Sequence, residues 1–442
     1  MPTAIEIFKY LPKKNCGKCN YPTCLAFAMQ MANQKAKLDE CPFVSEEAKA
    51  ILAASSAPPI RLVRVGRGKD ALEMGDETEL YRHEKKFFHP TLYAVGIADT
   101  LPEPEIRAKV LKVKAMRFER VGQILKLDLI EVRNDSGDPR RFATAVEIVA
   151  KDIDVPFVLH SSDPEALRAA VAEIPGKTPL LDGVTAANLG PMTVLAKEER
   201  CPLVVKEEKG LDQLADLVAQ AKQAGVEDLV LDFGASSLKD QLEKSTIVRR
   251  ASVRKTFRGL GYPIMVRAGE GETAVLRGMV ATMKYGSLVV FDDIEEAQAL
   301  PLFVLRQNIF TDPQVPIQVR PGLYPVGNPT EKSPLLFTTN FSLTYFTVLA
   351  DIEKSRVPVW LLVVDSEGLS VMTAFAAGKL TPESVTKAIE ESGARQKARR
   401  GEIVIPGMVS RMSGKLQDAA YLKVLVGPKE SSGLPKFLKS LP

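Results

Sequence analysis

The stretch PFVLHSSDPEALRAAVAEIPGKTPLLDGV, residues 156–184, decides how the middle of this chain folds. Two short apolar runs, PFVLH (156–160) and PLLDGV (179–184), flank a helical segment, PEALRAAVAEI. Runs of strand length that are apolar throughout belong to strands buried on both faces, as in parallel sheets. The unit repeats in both directions. Upstream lie LYAVGIA (92–98) and ILKLDLIEV (124–132), and downstream lie PLVVKE (202–207), DLVLDFG (228–234), PIMVRAG (263–269) and SLVVFDD (287–293). Between two of these, GLDQLADLVAQAKQAGV sets Leu211, Leu214, Leu217 and Val218 on one helical face. Eight such runs, each followed by a helix, over residues 91–325 predict a (β/α)8, TIM-like barrel. A doubly wound sheet accommodates the same alternation, and the count of strands decides for the barrel.

Working outward, 442 residues are too many for one core. Residues 1–57 read as a small helical unit, with short helices over 4–11 and 22–37. AASSAPPI (53–60) is a linker by composition, and residues 58–90 read as linker made of short extended pieces. After the barrel, QVPIQVRPGLYPVGNPTEKSP (314–334) carries five prolines and reads as an irregular interdomain connection. Alternation resumes over residues 326–442 in NFSLTYFTVLADIE, VPVWLLVVDSEG, EIVIPG (402–407) and YLKVLVGP (421–428). Helices are expected near 370–377, from Thr381 as N-cap with Pro382 behind it, and near 409–419. The expected third domain is thus a small open α/β, Rossmann-like fold.

Composition excludes several functions. Apolar residues are 45% and charged residues 26%, as in ordinary globular proteins. A net charge of +4 without a basic stripe argues against nucleic acid. No run of 18 apolar residues occurs, so no membrane span is expected. MPTAIEIFKYLPKKNC lacks the basic-then-apolar order of a signal peptide, which predicts a cytoplasmic protein.

Four of five cysteines, Cys16, Cys19, Cys24 and Cys41, fall within 26 residues. In a reducing compartment such a group binds metal or does redox chemistry. Four thiolates are what a cubane 4Fe–4S cluster needs, one per iron. Gly17 permits a tight turn between the first two, and Pro42 follows the fourth. The competing reading is a structural zinc site, although zinc ribbons usually pair two Cys-x-x-Cys knuckles and only one is present here. Lys9, Lys13, Lys14 and Lys18 lie close to the group. Cys201, before Pro202 at the start of a barrel strand, reads as a buried small hydrophobe.

NCGKCNYPTCLAFAMQM with the later ECPF, the barrel-like middle, and then NFSLTYF, DSEGLSVMTAFAAGKL and IPGMVSRMSGKLQDA resemble, in this order, the large subunit of the corrinoid iron–sulfur proteins of anaerobic acetyl-CoA synthesis. The resemblance covers nearly the whole chain. It implies a cluster domain, a barrel and a C-terminal cobamide-binding domain, paired as a heterodimer with a smaller barrel subunit. It further implies a methyl carrier. The cobamide would take a methyl from methyltetrahydrofolate on a methyltransferase and deliver it to acetyl-CoA synthase/CO dehydrogenase. The cluster would return Co(II) to Co(I), and the barrel would serve as scaffold, interface and cap. Movement about hinges at 53–60 and 314–334 is then expected.

Open α/β sheets bind ligands at the carboxyl ends of their strands. With the resemblance in hand, the candidates for cobamide contact are strand-end residues. Asn340, Ser342 and Thr344 alternate with Phe341 and Leu343, predicting a polar face on one strand. Ser370, Val371, Met372 and Thr373 follow the second strand, with Ala374 and Gly378 small enough for close approach. Gly407 and Met408 follow the third strand, and Gly427 and Pro428 the fourth. Each also has a local reading as cap, packing surface or turn. No histidine follows His160, so this domain has no imidazole to place beneath cobalt. Omitting that axial donor favours the reduced metal, and Thr373 is the candidate to face it.

The barrel's strand ends carry Asp99, His160, Asp182, Lys206, Glu207, Asp232, Arg267, Asp292 and Asp293, the positions where barrels place chemistry. Two rival functions follow. One is a TIM-barrel methyltransferase with an iron–sulfur electron-relay domain, and the other is a pure electron carrier.

Overall fold

The computed structural model describes residues 4–441 apart from 33–34, 46, 50–51, 53–57, 69–70, 85 and 313. Most of the expected linker at 53–60 therefore lies outside the described residues. The chain divides into two compact units, Met1–Met116 with Leu127–Phe310, and Arg117–Lys126 with Thr311–Pro442.

In the first unit, helices Ala4–Tyr10 and Cys24–Ala32 share a core with Leu11, Cys41 and Val44. Next, β1 (Val63–Val65) and β2 (Leu72–Met74) pair antiparallel. Val63, Val65 and Met74 pack on Leu129, Val158, Leu180 and Val204, near the amino ends of barrel strands. Arg61 N–H donates to Gly261 O (2.9 Å) and Gly66 N–H to Thr178 O (2.7 Å). Residues 60–68 and 71–76, expected as linker made of short extended pieces, thus hold a strand pair whose apolar side chains close the barrel's amino end.

β3 (Leu92–Ala98) opens the barrel. A hairpin of β4 (Arg117–Arg120) and β5 (Gln123–Lys126) intervenes. The ring is then completed by β6 (Leu129–Arg133), β7 (Phe157–His160), β8 (Leu180–Val184), β9 (Leu203–Lys206), β10 (Leu229–Asp232), β11 (Ile264–Gly269) and β12 (Gly286–Phe291). The strands pair in parallel, and β12 closes back on β3. The TIM-like barrel is therefore as expected. ILKLDLIEV, expected as one strand, is divided between two. Asp128 interrupts it, accepting the Tyr93 N–H (2.9 Å) and pairing with Arg306, and residues before it turn back to form the hairpin. Helices start where caps dictate, as at Asp138 and Asp163, each followed by Pro at the first helical position.

In the second unit, β13 (Gly322–Val326), β14 (Leu335–Thr339), β15 (Val359–Val364), β16 (Glu402–Ile405) and β17 (Lys423–Val426) form one sheet in the order β13-β15-β14-β16-β17. All neighbours are parallel except β13 with β15. The expectation that 314–334 lacks regular structure is corrected. β13 lies inside it, and its Pro325 is tolerated because β13 is an edge strand. That segment is part of the domain rather than an open hinge.

The expected strand through Asn340, Ser342 and Thr344 is also corrected. The strand is LLFTT, five residues earlier, and Ser342–Ser355 is a helix. Tyr345, Val348, Leu349 and Ile352 recur at helical spacing and pack on the sheet, which outweighs the short alternation before them.

Candidate functional site

Residues 11–23 form a loop with left-handed backbone at Lys13, Asn15, Gly17 and Asn20. Asn20 N–H donates to Gly17 O (3.0 Å), turning the chain around Cys19. Cys24 N–H donates to Asn15 Oδ1 (2.8 Å), drawing Cys24 back to the residue before Cys16. Thr23 Oγ1 accepts the Ala26 N–H (3.0 Å), so Cys24 opens the helix Cys24–Ala32. A helix amino end presents N–H groups to a sulfur there. Cys41 follows the 3-10 turn Leu38–Glu40, its N–H bonded to Leu38 O (3.1 Å). Cys19, Cys24 and Cys41 are buried in one core with Phe27 and Ala28, whereas Cys16 is exposed.

The thiols are all free. Among the described residues, the only three metal-binding atoms within 4.8 Å of one another belong to Glu131, His160 and Asp182. Three cysteines buried in one apolar core, with Cys16 exposed beside them, offer the four thiolates that a cubane cluster takes, one at each iron. Lys14 and Lys18 stand over the Phe43 ring at 4.5 and 5.0 Å, keeping positive charge beside the loop.

In the second unit a cavity of about 310 Å³ opens at the carboxyl ends of β14, β16 and β17. Of the residues singled out from sequence, Thr344, Ser370, Val371, Met372, Met408, Gly427 and Pro428 line it. The others do not. Asn340 is buried, and its Oδ1 accepts from Ser366 N–H (2.9 Å), Ser366 Oγ (2.8 Å) and Gly368 N–H (3.0 Å). It ties the loop after β15 to the end of β14. Ser342 is buried, its N–H bonded to Ile317 O (2.9 Å). Ala374 belongs to the core beneath its helix. Gly407 is buried against the β17 loop; a Cβ there would stand 2.5 Å from Gly427 O, so glycine serves packing. Gly378 is exposed with φ 68°. Thr373 is exposed, with Oγ1 2.9 Å from Ser370 Oγ.

Thr338 was missed. It lines the cavity, is 1% exposed, and its Oγ1 has no hydrogen-bond partner. A buried hydroxyl without a partner is unusual and points to an absent donor or acceptor. Nothing in LLFTT distinguishes it.

At the barrel's carboxyl face, Arg267 Nη2 donates to Glu131 Oε1 (2.6 Å) and to Asp182. His160 Nδ1 lies 2.8 Å from Asp182 Oδ2. Burial works against the Asp182 carboxylate, but Arg267 and His160 outweigh it and hold its pKa well below the usual range. Burial likewise opposes the His160 imidazolium, and Asp182 overcomes it, leaving that pKa raised. The guanidinium spans the two carboxylates, so this group is an ion-pair network rather than an open metal site. Asp99, Glu207 and Asp293 bond loop N–H, hydroxyl or ammonium groups nearby, and Asp292 pairs with Arg133.

A family described as CO dehydrogenase/acetyl-CoA synthase delta subunit matches residues 62–438, and an Fe–S cluster family matches residues 11–43. The second match encloses all four clustered cysteines. The chain is 44% identical over 440 residues to the corrinoid/iron–sulfur protein large subunit of Moorella thermoacetica, covering 99% of this chain and 98% of that one.

The chain belongs to the corrinoid/iron–sulfur protein large-subunit family.

Two further relatives carry the name acetyl-CoA decarbonylase/synthase complex subunit gamma. That of Methanothermobacter thermautotrophicus is 34% identical, with 99% of each chain covered, and gamma 2 of Methanosarcina mazei is 36% identical, with 98% and 97% covered. The match with the corrinoid/iron–sulfur large subunit runs through all parts, so the cysteine loop, barrel and C-terminal sheet belong to one family pattern. That places the chain in the acetyl-CoA pathway. Among the described residues, no helix is long and apolar enough to cross a membrane.

Proposed function

We propose that this chain is a methyl carrier that holds a cobamide at the carboxyl edge of its C-terminal sheet and a 4Fe–4S cluster on Cys16, Cys19, Cys24 and Cys41. When bound, the cobamide supplies the cobalt that accepts and returns a methyl group, and the cluster supplies the electron that restores reduced cobalt. The observation that carries the reading is the cavity over β14, β16 and β17 with the unpartnered Thr338 hydroxyl in its wall.

The chain's own residues have distinct tasks. Thr338, Thr344 and Ser370 offer hydroxyls to the amides of the macrocycle or its phosphate. Met372 and Met408, both partly exposed at the rim, give it an apolar seat. Thr373 is outside the cavity lining but touches Ser370, which lines it, and is the residue we assign to face a bound metal. The domain contains no histidine, so it would offer no imidazole to a bound cobalt, an omission that would favour the reduced metal. In the cysteine loop, burial of three thiolates excludes water, while exposed Cys16 leaves one corner open to electron exchange.

The partners that complete this function are a smaller barrel subunit, a methyltetrahydrofolate methyltransferase and acetyl-CoA synthase/CO dehydrogenase. Five free thiols suit a reducing cytoplasm. In an anoxic preparation, corrin absorption should accompany iron–sulfur absorption. A radiolabelled methyl should move from methyltetrahydrofolate to the protein only when the methyltransferase is added. Turnover without any partner would favour the barrel-enzyme reading instead. An unchanged cobalt spectrum and potential in Thr373→Ala would remove Thr373 from its role.

A further inference from the structure

A second cavity, about 340 Å³, opens at the barrel's carboxyl face beside β9, β10 and β11. The cobamide reading does not use it. Barrel folds place their ligand chemistry at this face.

Asp232, the last residue of β10, lines the cavity and is 4% exposed. Its Oδ1 accepts the Gly234 N–H at 2.9 Å, but its Oδ2 has no hydrogen-bond partner. Burying a carboxylate oxygen without a donor is unfavourable, and a barrel kept only as scaffold has no use for one.

Three cations share the wall. Arg267 is engaged by Glu131 and Asp182, and Lys206 by Glu208 at 2.7 Å. Arg277 bonds only a backbone oxygen, Ala235 O, at 3.2 Å, and has no carboxylate partner among the described residues. The cavity therefore presents one unfilled acceptor and one unpaired guanidinium. A bare anion leaves Oδ2 empty and meets the Asp232 charge. A bare cation meets Lys206, Arg267 and Arg277. Phe233, Met265 and Val266 supply an apolar wall suited to a short carbon skeleton.

We propose that this cavity binds a small organic carboxylate that also carries an N–H or O–H donor, with its carboxylate on Arg277 and its donor on Asp232 Oδ2. Small amino- and hydroxy-acids are the class. This site is independent of the cobamide and cluster readings.

Saturation-transfer NMR on the full-length, metal-loaded protein tests it, with glycolate and glycine as probes and acetate and methylammonium as controls. Glycolate or glycine should bind saturably and about tenfold more tightly than acetate, the effect of one charge-assisted hydrogen bond, while methylammonium should not bind. Asp232→Asn should bring glycolate down to the level of acetate, and Arg277→Gln should abolish carboxylate binding, with cooperative unfolding at a midpoint no lower than wild type and visible absorbance retained in both. Acetate binding as tightly as glycolate in the unaltered protein overturns the proposal, whatever the variants do. So does glycolate binding that survives Asp232→Asn, or no saturable binding of either probe.

Discussion

The Cys24 N–H donates to Asn15 Oδ1 at 2.8 Å, closing a loop whose body carries Cys16 and Cys19. Asn15 itself sits at φ 46°, a left-handed conformation that asparagine tolerates and most residues resist. Asn15→Ala removes both the acceptor and the tolerance, a loss of about 1–3 kcal/mol in loop stability. The expected result is an intact barrel with iron released to a chelator roughly tenfold faster. Equal release rates would show that the loop holds its shape by other means.

Arg267 lies between Glu131 and Asp182, both almost fully buried. Arg267→Met strands two carboxylates in the core, at a cost of about 3–5 kcal/mol. Denaturant melts should show the midpoint falling. The deficit should shrink in acid. Asp182's pKa is depressed in the folded wild type, so its contribution is present above the ordinary aspartate value of about 3.9 and fades as pH falls through the lower folded value. A deficit that stays constant with pH would separate Arg267 from these carboxylates.

Asp232 behaves in the opposite sense. Burial, then the charge of Asp182, raises its pKa. A carboxyl whose folded pKa is raised weakens the fold as pH climbs from the unfolded value through the folded one, because the ionised form is disfavoured inside. Asp232→Asn should therefore melt higher than wild type at neutral pH, with the gap closing below about pH 4. A variant less stable than wild type at neutral pH would mean that the carboxylate is satisfied.

The tip of the β4–β5 hairpin packs on the helix Ser342–Ser355. At Gly122, φ 69°, an added Cβ would stand 2.3 Å from the Phe346 ring. Gly122→Leu should force the hairpin off and destabilise the second unit by about 1–3 kcal/mol, with new proteolytic cleavage over 117–126. Adding Phe346→Ala should restore protection in part.

Much of this was legible in the chain. The barrel strands announced themselves because both faces are buried, so Leu180–Val184 or Leu229–Asp232 read as apolar throughout. The cysteine group was legible because its ligands are local in sequence. The C-terminal edge was harder. LLFTT and NFSLTYF adjoin without a turn signal, so the alternation points to a strand five residues late and hides that Asn340 ties a loop. Thr338 carries no signal, since an unpartnered hydroxyl is a property of its surroundings. Glu131 was hidden mid-run in ILKLDLIEV, where its partner Arg267 is 136 residues away. β1 and β2 are three residues each, too short to show a period.

The central claim is best tested by metal content in the wild type and in Thr344→Trp, which fills the cavity over β14, β16 and β17. About four irons and about one cobalt are expected per wild-type chain, and in the variant the same iron with cobalt lost. Cobalt retained in Thr344→Trp with unaltered corrin bands, or iron without cobalt in the wild type, would contradict it.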